Sequence, residues 1–225
     1  MGTWDELYQD KSNIPDYPQP EVIRFIQRLE STFPERPLFL WDHCCGGGRH
    51  SILGARRGHR LFASDESPTG IQHLQHWASD QKLDCTTAVA DMTDNPWGEA
   101  IQFHGIVSWD AIHHNTLDRI RAVIRMLRRS LRPGGYLLAS LISTKSDGYG
   151  HGQEIEPNTF IVDESLDSGV PHHFFDLDEV KALFTDWRVC ILAELVATYL
   201  ETEPGFYKNN PFPYTKWNIL VQKTG

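Results

Sequence analysis

Three acidic residues, Asp42, Asp65 and Asp91, each follow a short apolar run of the chain, and the glycines Gly46–Gly48 come soon after the first. Carboxylates accept hydrogen bonds from hydroxyls and amines, so they suit recognition of a sugar or a base. Glycine adopts positive φ and lets a ligand lie directly against the backbone. Acidic residues combined with a glycine turn indicate a binding site for a nucleotide-type ligand.

The spacing of the glycines argues against two common nucleotide-binding turns. The dinucleotide fingerprint G-x-G-x-x-G needs a third glycine three residues after the second. Counted from Gly46 and Gly48 that position is Ser51, and counted from Cys44 and Gly46 it is Arg49. The chain also lacks the G-x-x-x-x-G-K-[ST] pattern of a phosphate-binding loop. A nicotinamide oxidoreductase is therefore disfavoured.

Alternating apolar and amphipathic segments must position these residues. The predicted strands are 39–42, 60–64, 86–90, 105–108, 136–142, 188–199 and 216–222. The predicted helices carry apolar residues at helical spacing: Val22, Phe25, Ile26 and Leu29; 49–57; Ile71, Leu74 and Ala78; Leu117, Ile120, Ile124, Leu127 and Leu131. Strands that alternate with helices predict a parallel sheet with right-handed crossovers, and a ligand then lies at the strand ends.

Two segments fall outside this alternation. Residues 1–20 are polar and punctuated by proline, and with the helix that follows they form an N-terminal arm over 1–30. Residues 144–175 form a predicted long loop whose glycines, histidines and aromatic residues favour a packed lid. Asp176 is expected to cap the helix that follows this loop.

The chain resembles the class I S-adenosylmethionine-dependent methyltransferases from about residue 20 to 143. In that family an acidic residue ends the first strand and x-G-x-G-x-G follows; here the register is Asp42, Cys44, Gly46 and Gly48, with Cys44 in the place of the usual first glycine. Four further segments match the family in order: Asp65–Ile71, Asp91-Met92, Ser108–His114 and Arg132–Gly135. The resemblance implies a Rossmann-like α/β fold. Its sheet has seven mostly parallel strands, with helices on both faces and a C-terminal antiparallel strand pair.

The resemblance also implies roles for individual residues. Asp65 would accept hydrogen bonds from both ribose hydroxyls, and Asp91 from the exocyclic amine of adenine. The full set expected to hold S-adenosylmethionine is Asp42, Cys44, Gly46, Gly48, Arg49, Asp65, Glu66, Asp91, Met92, Ser108 and Asp110. The expected catalytic residues are His113 and His114, as general bases, and the expected acceptor-binding residues are Tyr8, His172 and His173. Two alternatives stay open for Tyr8 and Tyr17 in the arm, which can close over the cofactor or only pack.

Each of these residues also has a structural interpretation. Asp42, Asp65 and Asp91 can instead cap helices or bind turn amides, and the histidines can pack against the next helix or anchor the loop. Cys44 places a thiol in the turn, so either the turn accepts it at a φ below zero or cofactor binding is altered. The alternative function is therefore a protein that binds S-adenosylmethionine without methylating anything.

Length, composition and charge limit which partners and ligands we expect for this chain. The 225 residues suit a single domain, 1–225, and the formal net charge of −9 disfavours a nucleic acid, so the expected acceptor is a small molecule. No segment approaches the roughly 18 apolar residues of a membrane span, and no signal peptide is visible. Four unpaired cysteines favour a cytoplasmic protein, and the histidine and cysteine spacing matches no zinc pattern, so no metal site is predicted. The acceptor atom and the oligomeric state stay open.

Overall fold

The computed structural model describes residues 3–161, 167–196 and 215–225. Its strands are β1 (Phe39–His43), β2 (Arg60–Asp65), β3 (Cys85–Val89), β4 (Phe103–Ser108), β5 (Leu131–Ile142), β6 (Gln153–Glu156), β7 (Thr159–Ile161), β8 (Pro171–His173), β9 (Trp187–Leu195) and β10 (Lys216–Lys223). Seven of them form one sheet in the order β3-β2-β1-β4-β5-β10-β9. Strands β1 to β5 run parallel to one another, whereas β10 lies antiparallel to both β5 and β9. The predicted Rossmann-like sheet with a C-terminal antiparallel pair is confirmed.

The predicted helices lie close to their expected positions, and the arm contains in addition a short helix and a 3-10 turn that the sequence did not predict. They are α1 (Thr3–Leu7), a 3-10 turn (Lys11–Asn13), α2 (Pro20–Thr32), α3 (Arg49–Arg56), α4 (Pro68–Asp80), α5 (Leu117–Ser130) and α6 (Leu177–Leu183). The carboxylate of Asp176 accepts a hydrogen bond from the Glu179 amide, as expected for the cap of α6. Within the described ranges, no helix has both the length and the apolar character needed to cross a membrane.

Helices cover both faces of the large sheet, because each carries one apolar stripe. On one face α5 buries Ile120, Val123, Ile124 and Leu127, and on the other α2 buries Val22, Phe25, Ile26 and Leu29. Each such side chain contributes about 1.5–3 kcal/mol when it is fully buried. Gly105 of β4 allows the close approach of α2, since a Cβ there would lie 2.3 Å from Cδ1 of Leu29.

The segment 144–175 differs from its prediction as a loop. It contains a small antiparallel sheet in the order β6-β7-β8, and Asn158 turns between the first two strands with a φ of 62°. The strands are only three or four residues long, so they carry too little alternation to be read from the sequence. Phe160 and Phe174 are buried in this segment, which confirms the expected packing. Residues 162–166 of the predicted lid and 197–199 of the predicted strand lie outside the described residues.

Strand β5 begins earlier than predicted. The sequence Arg132-Pro133-Gly134-Gly135 predicts a turn before a strand at Tyr136, but the strand already starts at Leu131, which pairs with Phe103. A register shift between Phe103 and Gly105 absorbs the extra residues, and Gly134 supplies a φ of 74°. The turn is thus a bulged start of the strand, since the proline and glycines bend the chain without ending its pairing.

Candidate functional site

A cleft opens at the carboxyl ends of β1, β2 and β4, with an empty volume of about 830 Å³ out to open solvent. Its floor is the turn from Cys44 to His50, and its other walls come from the arm and from the ends of neighbouring strands. The wall residues are Trp4, Tyr8, Asn13, Pro15, Asp65, Glu66, Met92, Trp109, Asp110, Ala111 and His114. This is the edge at which an open parallel sheet binds its ligand.

The turn that forms the floor has left-handed backbone at three alternate positions. The φ angles are 56° at Cys44, 53° at Gly46 and 90° at Gly48. Of the two alternatives for Cys44, the structure excludes the one in which its φ is below zero. The turn keeps the conformation that glycine would adopt and carries the cysteine there, with its Sγ 3.5 Å from Nδ1 of His43.

Asp65 ties β2 to this turn. Its Oδ2 accepts a hydrogen bond of 2.8 Å from the Gly46 amide, and its Oδ1 accepts one of 2.9 Å from the Ser67 amide. Burial raises the pKa of Asp65, while these amides act against that rise. Glu66 beside it also lines the cleft, and partial burial together with Asp65 raises its pKa. Two acidic side chains therefore reach the cleft from the end of β2.

Asp42 lies behind the turn, outside the cleft lining. Its Oδ2 accepts a hydrogen bond of 2.6 Å from Oγ of Ser51 in α3, and burial raises its pKa to about 6. Asp42 therefore joins the end of β1 to α3.

Asp91 and Ser108 are also directed away from the cleft. Asp91 accepts hydrogen bonds from Arg119 Nη2 at 2.9 and 2.8 Å and from Thr93. Burial raises its pKa, but these donors outweigh burial and lower it overall. The neighbouring Met92 does line the cleft. The sequence thus placed this strand end and Met92 at the cleft, but not the carboxylate of Asp91.

His43 explains the position of Ser108. Its Nε2 donates to the Met92 carbonyl at 2.8 Å, since a carbonyl only accepts, which leaves Nδ1 to accept from Oγ of Ser108 at 2.9 Å. Burial lowers the pKa of His43 to about 4, so the ring is neutral at pH 7. Sequence reasoning gave His43 no functional role. Its ring nevertheless links the end of β1 to the end of β4 and to the loop after β3.

Asp110 lines the cleft with a φ of 51° and has a cationic partner. Lys216 Nζ, from β10, lies 3.0 and 3.1 Å from its two carboxylate oxygens, and Ser140 Oγ donates to it at 2.8 Å. The Lys216 ammonium also lies 5.0 Å from the ring centroid of Trp109. The sequence gave no local signal for this ion pair, because Lys216 lies 106 residues after Asp110. Arg49 adds a second positive charge at the cleft.

The arm covers one side of the cleft. A Cβ at Gly46 would lie 2.8 Å from the Tyr8 hydroxyl, so the ring rests on the glycine turn. Burial and the nearby Asp65 raise the pKa of Tyr8, which keeps the phenol neutral. Trp4 also lines the cleft, whereas Tyr17 is 84% exposed and does not close over it. Tyr8 therefore lies over the turn at the cleft, whereas Tyr17 does not reach the cleft.

The four histidines predicted from the sequence occupy different environments. His114 lines the cleft against the Trp4 ring, with centroids 4.8 Å apart, and burial lowers its pKa to about 3. His113 is buried behind it, outside the cleft lining. His173 points away, since its Nδ1 lies 2.6 Å from Oγ1 of Thr159. His172 also lies outside the lining, but its ring centroid is 4.6 Å from that of His114.

The chain is similar to known methyltransferases. Residues 41–135 match the family model described as a methyltransferase domain. The matched range contains the glycine turn, the ends of β2 and β4, and α5. The resemblance drawn from the sequence is thereby confirmed, and S-adenosylmethionine is the methyl donor of such methyltransferases. No curated protein sequence matches the chain significantly.

Solved structures show the same fold. An S-adenosylmethionine-dependent methyltransferase from Methanosarcina mazei superposes with a TM-score of 0.71 at 17% identity, over 92% of this chain and 99% of that one. TehB from Haemophilus influenzae gives 0.69 at 18% identity, over 98% and 67%. The Burkholderia thailandensis 1,6-didemethyltoxoflavin-N1-methyltransferase, solved with 1,6-didemethyltoxoflavin and S-adenosylhomocysteine, gives 0.66 at 16% identity, over 98% and 84%.

Proposed function

We propose that this protein transfers a methyl group from S-adenosylmethionine to a small-molecule acceptor in the cleft. The observation that carries the proposal is the junction of Asp65 with the Gly46 amide, 2.8 Å apart, at the floor of the cleft. A carboxylate held against a glycine turn at the end of the second strand suits a ribose lying on that turn. The methyltransferase match over 41–135 supports the same assignment.

The lining residues divide between the two ends of the cofactor. Asp65 and Glu66 would accept the ribose hydroxyls, and Met92 would pack on the adenine. Arg49 would pair with the cofactor's carboxylate, and Asp110 with its amino group, because each carries the opposite charge at the cleft. Asp42, Asp91 and Ser108 would act through the turn and the loops they hold, since none of the three lines the cleft.

The acceptor would lie on the side of Tyr8, Trp4 and His114. The sulfonium loses its positive charge as the methyl group moves, so the protein contributes mainly alignment and exclusion of water. Tyr8 and Trp4 supply aromatic walls that suit a cation. His114 is neutral and is the candidate general base for a hydroxyl acceptor, whereas His113 would position it from behind.

A small acceptor fits the charge and the shape of the protein. The net charge of −9 opposes a nucleic acid, and the arm narrows the entrance of the cleft. The 1,6-didemethyltoxoflavin-N1-methyltransferase, which has the same fold, was solved with such a compound. The segment 144–175 would form the lid over this acceptor side. A protein that binds the cofactor without transferring its methyl group is the competing function.

Calorimetric titration tests cofactor binding, with NAD as the control ligand. We expect S-adenosylmethionine to bind and NAD not to bind. Asp65→Ala should raise the dissociation constant by more than about tenfold, because the ribose hydroxyls lose one of their two acceptors and the Gly46 amide loses its partner. The matched control is Asp118→Ala, at an exposed position on α5. An unchanged affinity in Asp65→Ala would show that the assigned register is wrong.

Turnover separates the two functions. The protein is incubated with labelled S-adenosylmethionine and a mixture of small metabolites, and S-adenosylhomocysteine is measured. Accumulation that depends on the mixture supports the transferase. Tight cofactor binding with no turnover across chemically diverse acceptors favours the binding protein.

A further inference from the structure

Three side chains that can bind a metal converge behind the His114 wall of the cleft. They are His114 from the turn after β4, and Asp167 and His172 from the segment before and within β8. One ligand atom from each lies within 4.8 Å of the others. The residues come from two distant parts of the sequence, so the spacing rules that predicted no metal site had no means of detecting them.

The orientation of His172 is that of a metal-binding imidazole. Its Nδ1 lies 3.0 Å from the Val170 carbonyl, which only accepts, so Nδ1 carries the proton. In a neutral ring Nε2 then has a lone pair, and it faces Asp167 Oδ2 at 2.8 Å. Two acceptor atoms in contact need a proton or a cation between them. A backbone carbonyl that fixes the far nitrogen is a regular feature of metal-binding histidines.

His114 supplies the third ligand atom. Its side chain is 6% exposed, and Nδ1 finds no hydrogen-bond partner among the described residues. The same atom lies 3.6 Å from Asp167 Oδ2. A proton shared by His172 and Asp167 would leave this buried nitrogen unpaired, whereas one cation would satisfy all three side chains.

We propose that His114, Asp167 and His172 bind a divalent transition-metal ion, with Zn²⁺ as the reference ion. At tetrahedral angles, metal–ligand bonds of about 2.0–2.2 Å place neighbouring ligand atoms about 3.3–3.6 Å apart, near the observed 3.6 Å and wider than the observed 2.8 Å. The widest separation must close by about 1–1.5 Å to fit the same bonds. Two imidazoles with one carboxylate favour such an ion over Mg²⁺ or Ca²⁺, which prefer oxygen.

The site has a consequence for the cleft. His114 lines the cleft, while Asp167 and His172 belong to the segment that carries the small sheet. A bound ion would fasten that segment to the cleft wall and leave at least one coordination position for water or another ligand. Because the ion would take the lone pair of His114, a metal-bound water would replace that side chain as the candidate base. This proposal does not depend on methyl transfer, because metal binding is measured without cofactor or acceptor.

The test uses Zn²⁺ and Co²⁺ alone on the full chain after dialysis against a chelator. We expect one ion per chain by elemental analysis, a rise in the thermal midpoint on adding Zn²⁺, and visible absorption from bound Co²⁺. His172→Gln and Asp167→Asn should each weaken Zn²⁺ binding by more than about tenfold. The matched control is His76→Gln, at an exposed position on α4, which should bind as the parent does.

Two results would overturn the site: no stoichiometric ion in the parent protein, or unchanged binding in both ligand variants. Circular dichroism of each variant establishes that it is folded. If a ligand variant does not fold, the Co²⁺ spectrum of the parent protein decides, since nitrogen and oxygen ligands give a spectrum unlike that of the aquo ion. Titration with S-adenosylmethionine on the same samples keeps failure of this site distinct from failure of the proposed function.

Discussion

At the scale of single residues, Cys44 is the least expected feature of the floor of the cleft. A residue with a Cβ loses about 1–2 kcal/mol in left-handed backbone, and Cys44 has a φ of 56°. Its position between His43 and the glycines nevertheless holds the turn in the form that glycine would adopt. The strain is therefore local and does not displace Gly46 from Asp65.

Replacing Cys44 should reveal this strain. Cys44→Gly should unfold at the same denaturant concentration as the parent or a higher one, because relief of strain offsets the added chain entropy of about 0.5–1 kcal/mol. Cys44→Val should lose about 1–3 kcal/mol, since a β-branched residue tolerates positive φ poorly. Urea unfolding measures both.

The neighbouring cysteine is the control for this comparison. Cys45 is buried in an apolar cluster with Ile52 and Leu74 and is not among the positive-φ residues, so Cys45→Gly should lose stability. If Cys44→Gly destabilises the protein as much as Cys45→Gly, the strain argument fails.

At the scale of elements, α1 is only five residues long and depends on tertiary contacts for its position. Asp5 provides the main one, because its Oδ1 accepts hydrogen bonds from Ser67 Oγ and from the Thr69 amide, both at 2.9 Å. These donors lie at the start of α4, where a helix favours a negative charge. The backbone and hydroxyl donors of Thr69 and Ser67 also lower the pKa of Asp5.

Removing this anchor should loosen the cover of the cleft. In Asp5→Ala we expect faster proteolysis within the first 20 residues and a several-fold weaker affinity for S-adenosylmethionine, because Trp4 and Tyr8 lose their fixed position. Asp10→Ala is the matched control, since Asp10 caps only the short 3-10 turn through the Ser12 amide. Equal affinity in the two variants would show that the arm does not contribute to the site.

At the scale of the whole molecule, the burial of neutral histidines determines how the free energy of unfolding changes in acid. Burial lowers the pKa of His43 to about 4 and that of His50 to about 3. The unfolded chain therefore binds more protons than the folded one below about pH 6.5, so stability is lost as the pH falls toward 4. Asp42 opposes this, because its raised pKa of about 6 gives stability that is complete below about pH 4 and is lost as the pH rises through 6.

Substitutions can separate the effect of the histidines on the pH dependence of stability from the opposite effect of Asp42. Between pH 7 and pH 4 the parent protein should lose unfolding free energy, because the buried histidines with a lowered pKa, His114 among them, outweigh the buried carboxyl groups with a raised pKa. His50→Gln should lose less over that range and Asp42→Asn should lose more, since Asn still accepts from Ser51 but no longer titrates. Urea unfolding at several pH values measures the slopes. Parallel curves for all three proteins would contradict the assignment.

The fold could be read from the sequence because its signals are local. Apolar stripes at helical spacing and short apolar runs between them predict the parallel sheet, and Asp42, Gly46 and Asp65 predict which edge binds a ligand. A strand or a helix is defined by residues that are neighbours in the chain, so the order and approximate bounds of these elements can be predicted without knowing any tertiary contact. The exceptions are short or bulged elements, such as β6 to β8 and the start of β5.

Only the tertiary structure decided which side chains meet. Asp65 and Asp110 reach the cleft, whereas Asp42, Asp91 and Ser108 turn to partners elsewhere. Other pairings join residues far apart in the chain, namely Lys216 with Asp110, Asp5 with the start of α4, and His114 with Asp167 and His172. The physical reason is that a strand's periodicity sets where its end lies, while the direction of the last side chains depends on local φ and on donors brought by distant segments.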